Sequence, residues 1–339
     1  MRPLAACLAP AACLVTACSD AVQVVQRHRA AEMASVTWQA GRYVAAGQRA
    51  WFDVADTVAQ FSESTWLLTS TDGIAWAAAL EPVRGQLRAV TAGDSSLVAL
   101  GSFDGSPNEA GEGLVFVRDG AGEWRPGGSL SLKWRSVAHG PSAGFVGVGE
   151  LPNLPESVVA SSVDGASWTV RATTDIPQPN LLSADRRYVL WGNAATIFMS
   201  GDAGSWSRQT IDSVTELTAL AHVDGRFLGS GVFDRWSGRE PDSVRYYDVA
   251  STDGETWTVR RRMAPRDRLT RMASGAGRVV ALSRAAVFAS EDGLSWTRVF
   301  ESNHALRDIV FADGRFVIVG RTILTSNDGL SWRERLLPR

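Results

Sequence analysis

A chain of 339 residues, 45% hydrophobic and 21% charged, is long enough to bury a sizeable core. Its 34 basic and 36 acidic residues leave neither sign in excess, so the composition carries no nucleic-acid footprint. The three cysteines are Cys7, Cys13 and Cys18, so nothing after Cys18 can form an internal disulfide and packing alone must hold the fold.

The first stretch reads as a targeting segment. Arg2 supplies a short positive region, residues 4–17 an apolar run too short to span a bilayer, and Val15-Thr16-Ala17-Cys18 a processing site. The pattern resembles a bacterial lipoprotein signal. That resemblance implies a signal peptide over 1–17 and lipidation of Cys18. It also implies a mature chain in the cell envelope, periplasmic or extracellular, that touches the membrane through its lipid alone. An ordinary signal peptide cleaved nearby is the alternative. Residues 18–32 follow as a tether, although Val22, Val24 and Val25 offer a further strand, and 33–339 remain for the fold.

From residue 33 the chain repeats. Paired β-rich runs about a turn recur at 33–47, 87–101, 134–149, 181–192, 217–231, 269–283 and 306–320. Asp224-Gly225 and Asp313-Gly314 are residue types a tight hairpin wants, because both turn positions take positive φ. A second hairpin with one shared motif follows each pair. Five copies are regular: Ser70-Thr71-Asp72-Gly73 with Trp76, Ser162-Val163-Asp164-Gly165 with Trp168, Ser251-Thr252-Asp253-Gly254 with Trp257, Ser290-Glu291-Asp292-Gly293 with Trp296, and Ser326-Asn327-Asp328-Gly329 with Trp332. Two are degenerate, Asp202 with Trp206 and Asp119 with Trp124. The tryptophans recur about every 43 residues, the length of a four-stranded blade. The predicted fold is all-β, a seven-bladed β-propeller of four-stranded antiparallel blades.

In the motif, Ser and Asp can bond backbone N–H groups of their own turn, Gly takes the left-handed conformation, and Trp offers a large ring to neighbouring layers. These residues are read as structural locks, and the seven tryptophans as the main staples. The copies resemble Asp-box (BNR) repeats, found in sialidases and in propellers like the photosystem II assembly factors. The likeness covers residues 33 to 336. Most copies here place Gly three and Trp six positions after Ser, against four and seven in the usual form, so the resemblance reaches the superfamily and singles out no enzyme.

Sialidases, by that resemblance, would bring an arginine triad, a Tyr nucleophile with a Glu partner, an Asp acid/base and an Arg-Ile-Pro motif on six blades. The mature chain has no such motif, and its four tyrosines offer no clear nucleophile: Tyr43 and Tyr188 occupy strand positions filled elsewhere by Phe or Leu, and Tyr246 and Tyr247 lead into a third strand. His139 and His222 share the repeat position of Trp38 and Phe311 and read as strand-end packing. There is no His-x-His pair and no phosphate-cradling glycine loop, so no metal or cofactor is expected. Gly140-Pro141-Ser142-Ala143-Gly144 matches a nucleophile-elbow pattern but falls at a hairpin turn.

Topology separates two faces. Loops joining strands one to two and three to four lie on one face with the motifs. The insertions 48–65, 102–113, 150–157 and 232–246 lie on the other and carry length beyond what closure needs. They offer Trp51, Phe103 and Trp236 among carboxylates, a surface suited to a protein or a sugar ring. Arg88, Arg135 and Arg307, each second in its blade's first strand, approach the mouth of the central pore on this face and can converge on an anion. Arg260, Arg261, Arg262, Arg266 and Arg268 read as a solvated basic run. The expectation is a non-catalytic envelope protein binding a protein or glycan partner, with a carbohydrate-active hydrolase as the alternative.

Overall fold

Runs such as Phe316-Val317-Ile318-Val319 lack polar alternation, so a strand built from them must be covered on both faces. Sheets stacked around an axis supply that cover, and all four of these residues are 0% exposed. In the computed structural model the chain forms seven four-stranded antiparallel sheets, each from one contiguous stretch with its strands in sequential order. The structure describes residues 27–55, 58–103, 112–120, 122–128, 130–151, 154, 156–236 and 241–338, and no helix occurs among them. The seven-bladed propeller expected from the repeats is the observed fold.

The first strands of the blades are Arg27–Gln39, Gln86–Ala92, Lys133–Gly140, Asn180–Ala184, Glu216–Val223, Arg271–Gly275 and Leu306–Ala312. Each touches the first strand of the next blade, and the seventh touches the first, so the ring closes. Among the described residues no strand is exchanged across that closure. Side chains join the two ends instead: the Val36 amide donates to Asp308 Oδ2 at 2.9 Å, and the Tyr43 hydroxyl donates to the Ala312 carbonyl at 2.5 Å. Met33, Val36 and Tyr43 also share a core cluster with Val317, Val319 and Ile323. Every other interface has its own cluster, so the core is a set of layers between blades.

Several expectations shift in detail. The first strand starts at Arg27, so residues 27–32, read as tether, are strand. The insertions at 48–65 and 232–246 are extensions of the second and third strands, Arg42–Ala55 with Val58–Ser70 and Arg226–Trp236 with Pro241–Ser251. Extended pairing satisfies the backbone that an irregular loop would leave to solvent. The motif tryptophans are mostly half-buried, while the largest fully buried side chains are Trp66 and Trp134, from outside the motifs. His139 and His222 do pack, with rings 4.7 and 4.9 Å from Phe145 and Phe227, as Trp38 packs on Tyr43 at 4.4 Å. The signal segment and Cys18 lie outside the described residues.

Candidate functional site

The motif face is self-contained. In six copies the Asp Oδ1 accepts two backbone N–H bonds from the residues two and three positions on, at 2.7–2.9 Å, and the hydroxyl of the Ser two before it. Those backbone bonds hold the Asp253 and Asp328 carboxyls down at about 2, and lower Asp72, Asp164 and Asp202. Burial opposes the shift at Asp292, yet the same bonds prevail and its pKa also falls. The degenerate copy at Asp202 locks fully because Ala203 takes the glycine's positive φ of 60°. The copy at Asp119 does not lock; its carboxylate pairs with Arg125 at 2.7 Å. Side chains whose valences are filled by their own turn have little left for a ligand.

At the opposite end, the first strands are bulged. Leu87 pairs with Gly101 and Ala89 with Leu100, so the register skips Arg88 as the extra residue of a bulge. The same slip isolates Ala34, Arg135, Thr218 and Arg307 in four other blades. A bulge turns its extra residue out of the ladder and re-aims the side chain. All five bulged residues line one cavity of about 490 Å³ at the mouth of the ring. Arg268, Arg271 and Arg284 join Arg88, Arg135 and Arg307 there, against Glu32 and Glu216. The three arginines singled out by sequence are thus brought together.

The sequence carried a signal for these bulges in the glycines that close the hairpins. Gly47 and Gly101 stand opposite them, and a Cβ at either would lie 2.0 Å from the carbonyl oxygen of Glu32 or Gln86. Only glycine permits that approach. Gly149, Gly231 and Gly320 hold the corresponding place in the other three blades.

Most cations of the mouth are partnered, within their own blade or with an adjacent one. Arg135 donates to Glu150 Oε2 through Nε at 2.9 Å and Nη2 at 2.5 Å; Arg268 pairs with Glu216 and Arg307 with Glu32. Arg271 lies 3.7 Å from Asp308. Arg284 is exposed and has no side-chain partner among the described residues. Burial raises the Glu216 pKa while Arg268 pulls it back. A carboxylate perturbed in this way inside a cavity marks a candidate site. Among the described residues no cluster of three His, Cys, Asp or Glu is arranged to hold a metal.

The other predicted residues are dispersed. Phe103 lies under the Arg84 guanidinium, 4.2 Å from its carbon, and does not line the mouth. Trp51 and Trp236 sit on the two extended hairpins, with side chains outside the described residues. The basic run is not uniformly solvated. Arg268 enters the mouth, and Arg262 is buried against Asp248 at 2.6 Å, with Trp296 Nε1 donating to the same carboxylate at 3.3 Å. Glu32, Glu216, Arg271 and Arg284 were not singled out: Glu32 and Glu216 share one offset, directly before Met33 and Leu217, but other blades carry Gln86 and Lys133 there, and Arg271 and Arg284 reach the mouth from other positions.

No family model matches the chain, and no curated protein sequence does. Solved structures do. YCF48 from Cyanidioschyzon merolae is 14% identical over 74% of this chain and 84% of its own, with a TM-score of 0.50. The propeller domain of the trilobed protease from Pyrococcus furiosus, described as having an open velcro topology, is 10% identical over 92% and 97%, with a TM-score of 0.54. A catalytically inactive virginiamycin B lyase from Staphylococcus aureus, solved with quinupristin, is 11% identical over 92% and 99%, with a TM-score of 0.51. At such identities the likeness shows the fold, and this chain is a seven-bladed β-propeller with a basic cavity at its mouth.

Proposed function

We propose that the chain is a non-catalytic binding or scaffold lipoprotein of the bacterial cell envelope, whose mouth face holds an anionic group of a protein or glycan partner. In this reading residues 1–17 are a signal peptide, Cys18 carries the lipid that alone touches the membrane, and neither nucleic acid nor a cofactor takes part. The six locked turns support membership of the Asp-box superfamily. The resemblance to photosystem II assembly factors makes help in building a larger complex one form of the role.

One observation carries the proposal: bulges in five blades aim into a single cavity, and in three of them the re-aimed residue is arginine. Guanidinium groups bind carboxylate or phosphate oxygens in forked, charge-assisted pairs. An incoming anion can engage Arg284 directly and compete with Glu32, Glu150, Glu216 and Asp308 for the arginines that they hold.

Biolayer interferometry against immobilised polyglutamate and polysialic acid tests this. Wild type is expected to bind at least one, more weakly as salt rises. An Arg88→Ala, Arg284→Ala double variant is expected to lose about tenfold or more. Undiminished binding by that variant overturns the mouth as the site. A Trp51→Ala, Trp236→Ala variant asks whether the extended hairpins add to capture.

The alternative, a carbohydrate-active hydrolase, is favoured by Glu216, a carboxylate with a raised pKa in the same cavity as six arginines. No tyrosine lines that cavity among the described residues, so a sialidase-type nucleophile has no counterpart there. Turnover of a fluorogenic sialoside that is lost in Glu216→Gln would replace the binding reading with this one.

A further inference from the structure

The outer cleft between blades 1 and 2 departs from the pattern set by other blades. Arg187, Arg226 and Arg315 each open the second strand of their blade and donate to a motif-Asp carbonyl in the next: Arg187 to Asp253 at 2.9 Å, Arg226 to Asp292 at 3.0 Å, and Arg315 to Asp72. Arg42 holds the same register position in blade 1, pairing with Gln39 as Arg187 pairs with Ala184. The turn it should strap is the one at Asp119, which is not locked: Gly120 N donates to the Ser95 carbonyl at 2.7 Å, and Asp119 is held by Arg125. Arg42 is therefore exposed, with no hydrogen-bond or ion-pair partner among the described residues.

The cleft is also larger than the equivalent groove between blades 7 and 1. The outer strands of the two blades, Ala77–Ala78 and Arg125–Pro126, have two residues each, against four to six in the other five. About 580 Å³ opens between Arg42, Thr69, Leu80, Glu81, Glu123 and Trp124. Trp124 Nε1 has no acceptor among the described residues, whereas Trp76, Trp168 and Trp332 each donate to a glycine carbonyl at 2.9–3.2 Å. Glu81 and Glu123 are likewise exposed and unpartnered among the described residues.

The molecule contains its own control. The equivalent groove between blades 7 and 1 measures about 300 Å³, and apart from the exposed Arg333 its polar groups are satisfied: Arg315 donates to Asn327 at 3.2 Å, Arg335 to Thr325 at 3.3 Å, and Asp328 is locked in its turn. Shortened strands alone would leave a shallow gap. What sets the first cleft apart is the combination of an aromatic wall, a leucine and unpaired charges of both signs.

We propose that the cleft between blades 1 and 2 binds a neutral saccharide, independently of the mouth. Opposite charges in near balance favour neither a polyanion nor a polycation. A hydroxyl is both donor and acceptor, so adjacent sugar hydroxyls satisfy Arg42 and the two glutamates together. The apolar face of a pyranose ring has Trp124 and Leu80 to lie against, and the volume falls within the roughly 300–1,000 Å³ of ordinary ligand pockets.

The test is an array of neutral and acidic oligosaccharides, followed by calorimetry with hexamers of glucose and N-acetylglucosamine. At least one neutral chain is expected to bind with little dependence on salt. Arg42→Ala and Glu81→Gln should each weaken it by about tenfold or more, since each removes a charge-assisted hydrogen bond. Both residues are exposed, so unchanged melting confirms that the effect is local. Thr325→Ala in the self-satisfied groove and Arg88→Ala in the mouth should leave binding as it is. An array without a neutral ligand, or binding undiminished in Arg42→Ala and Glu81→Gln, overturns the site. So does binding confined to acidic sugars and lost in Arg88→Ala.

Discussion

The two ends of the propeller use the same residue types to opposite effect. At the motif end six of the seven aspartates are satisfied within three residues of themselves, as Asp328 is by Ser326, Leu330 and Ser331. At the mouth the pairs are long-range: Arg307 meets Glu32, and Arg268 meets Glu216, across most of the chain or a blade boundary. A local bond forms with its turn and is costly to exchange. A pair assembled by ring closure between half-exposed side chains is worth little on its own and is open to a competing ligand. Polarity spent locally builds the blade, and polarity held at long range remains for function.

The sharpest way to break that contrast is to fill a bulge. Gly101→Ala puts a Cβ 2.0 Å from the Gln86 carbonyl, so the paired strands must part. The expected cost is about 1–3 kcal/mol or more, as for other overpacked interiors, and Arg88 should lose its aim, weakening anion capture with it. Gly225→Ala is the reference at the other end. Its φ is +73°, but nothing lies within 4 Å of the added atom. It should cost about 1–2 kcal/mol of left-handed strain and leave capture intact. Denaturant unfolding together with anion binding separates the two. If both variants lose stability equally and neither loses binding, the bulges do not position the arginines.

A smaller effect probes the locks. Asp164→Ala removes the acceptor for the Ala166 and Ser167 amides at 2.9 and 2.8 Å. Those amides face water, so the loss should resemble that of a helix cap, about 1 kcal/mol. Asp119→Ala removes only an exposed pair, with side chains 60% and 52% open, and should stay within about 0.5 kcal/mol. Equal losses at the two positions would mean that the turn bonds contribute nothing beyond surface charge.

What was legible in the sequence follows the same division. The motif returns at blade intervals because its bonds are local, so Ser-x-Asp-Gly-x-x-Trp gave away both the blade number and the lock. The hairpin-closing glycines were visible as well, although their reason, a carbonyl 2.0 Å from a would-be Cβ, is tertiary. Arg88, Arg135 and Arg307 could be placed because they share one repeat offset. Arg271 and Arg284 could not, since closure of the ring, rather than a shared offset, brings them to the mouth. Phe103 misled because an aromatic in an insertion looks the same in sequence whether it faces a partner or lies beneath Arg84.

The subtlest test is the pH profile, where the two kinds of carboxylate pull in opposite directions. An unfolded aspartate titrates at about 3.9. Asp253 and Asp328 are held at about 2 in the fold, so the stability they contribute is present above pH ~4 and lost as pH falls through about 2. Asp248 is the reverse: burial lifts it to about 6 although Arg262 opposes the shift. Its contribution is present below pH ~4 and lost as pH rises through about 6. Wild-type stability should therefore climb from pH 2 to 4 and then decline towards 6. In Asp248→Asn the overall stability drops, because Arg262 is left buried without its counter-charge. The decline between pH 4 and 6 should nonetheless flatten while the acid limb keeps its slope. Burial also raises Glu216 and Asp308, so the slope shrinks without vanishing. Superimposable slopes for wild type and Asp248→Asn across that interval would show that the buried pair does not titrate there, and that the contrast between the turns and the interior is confined to geometry.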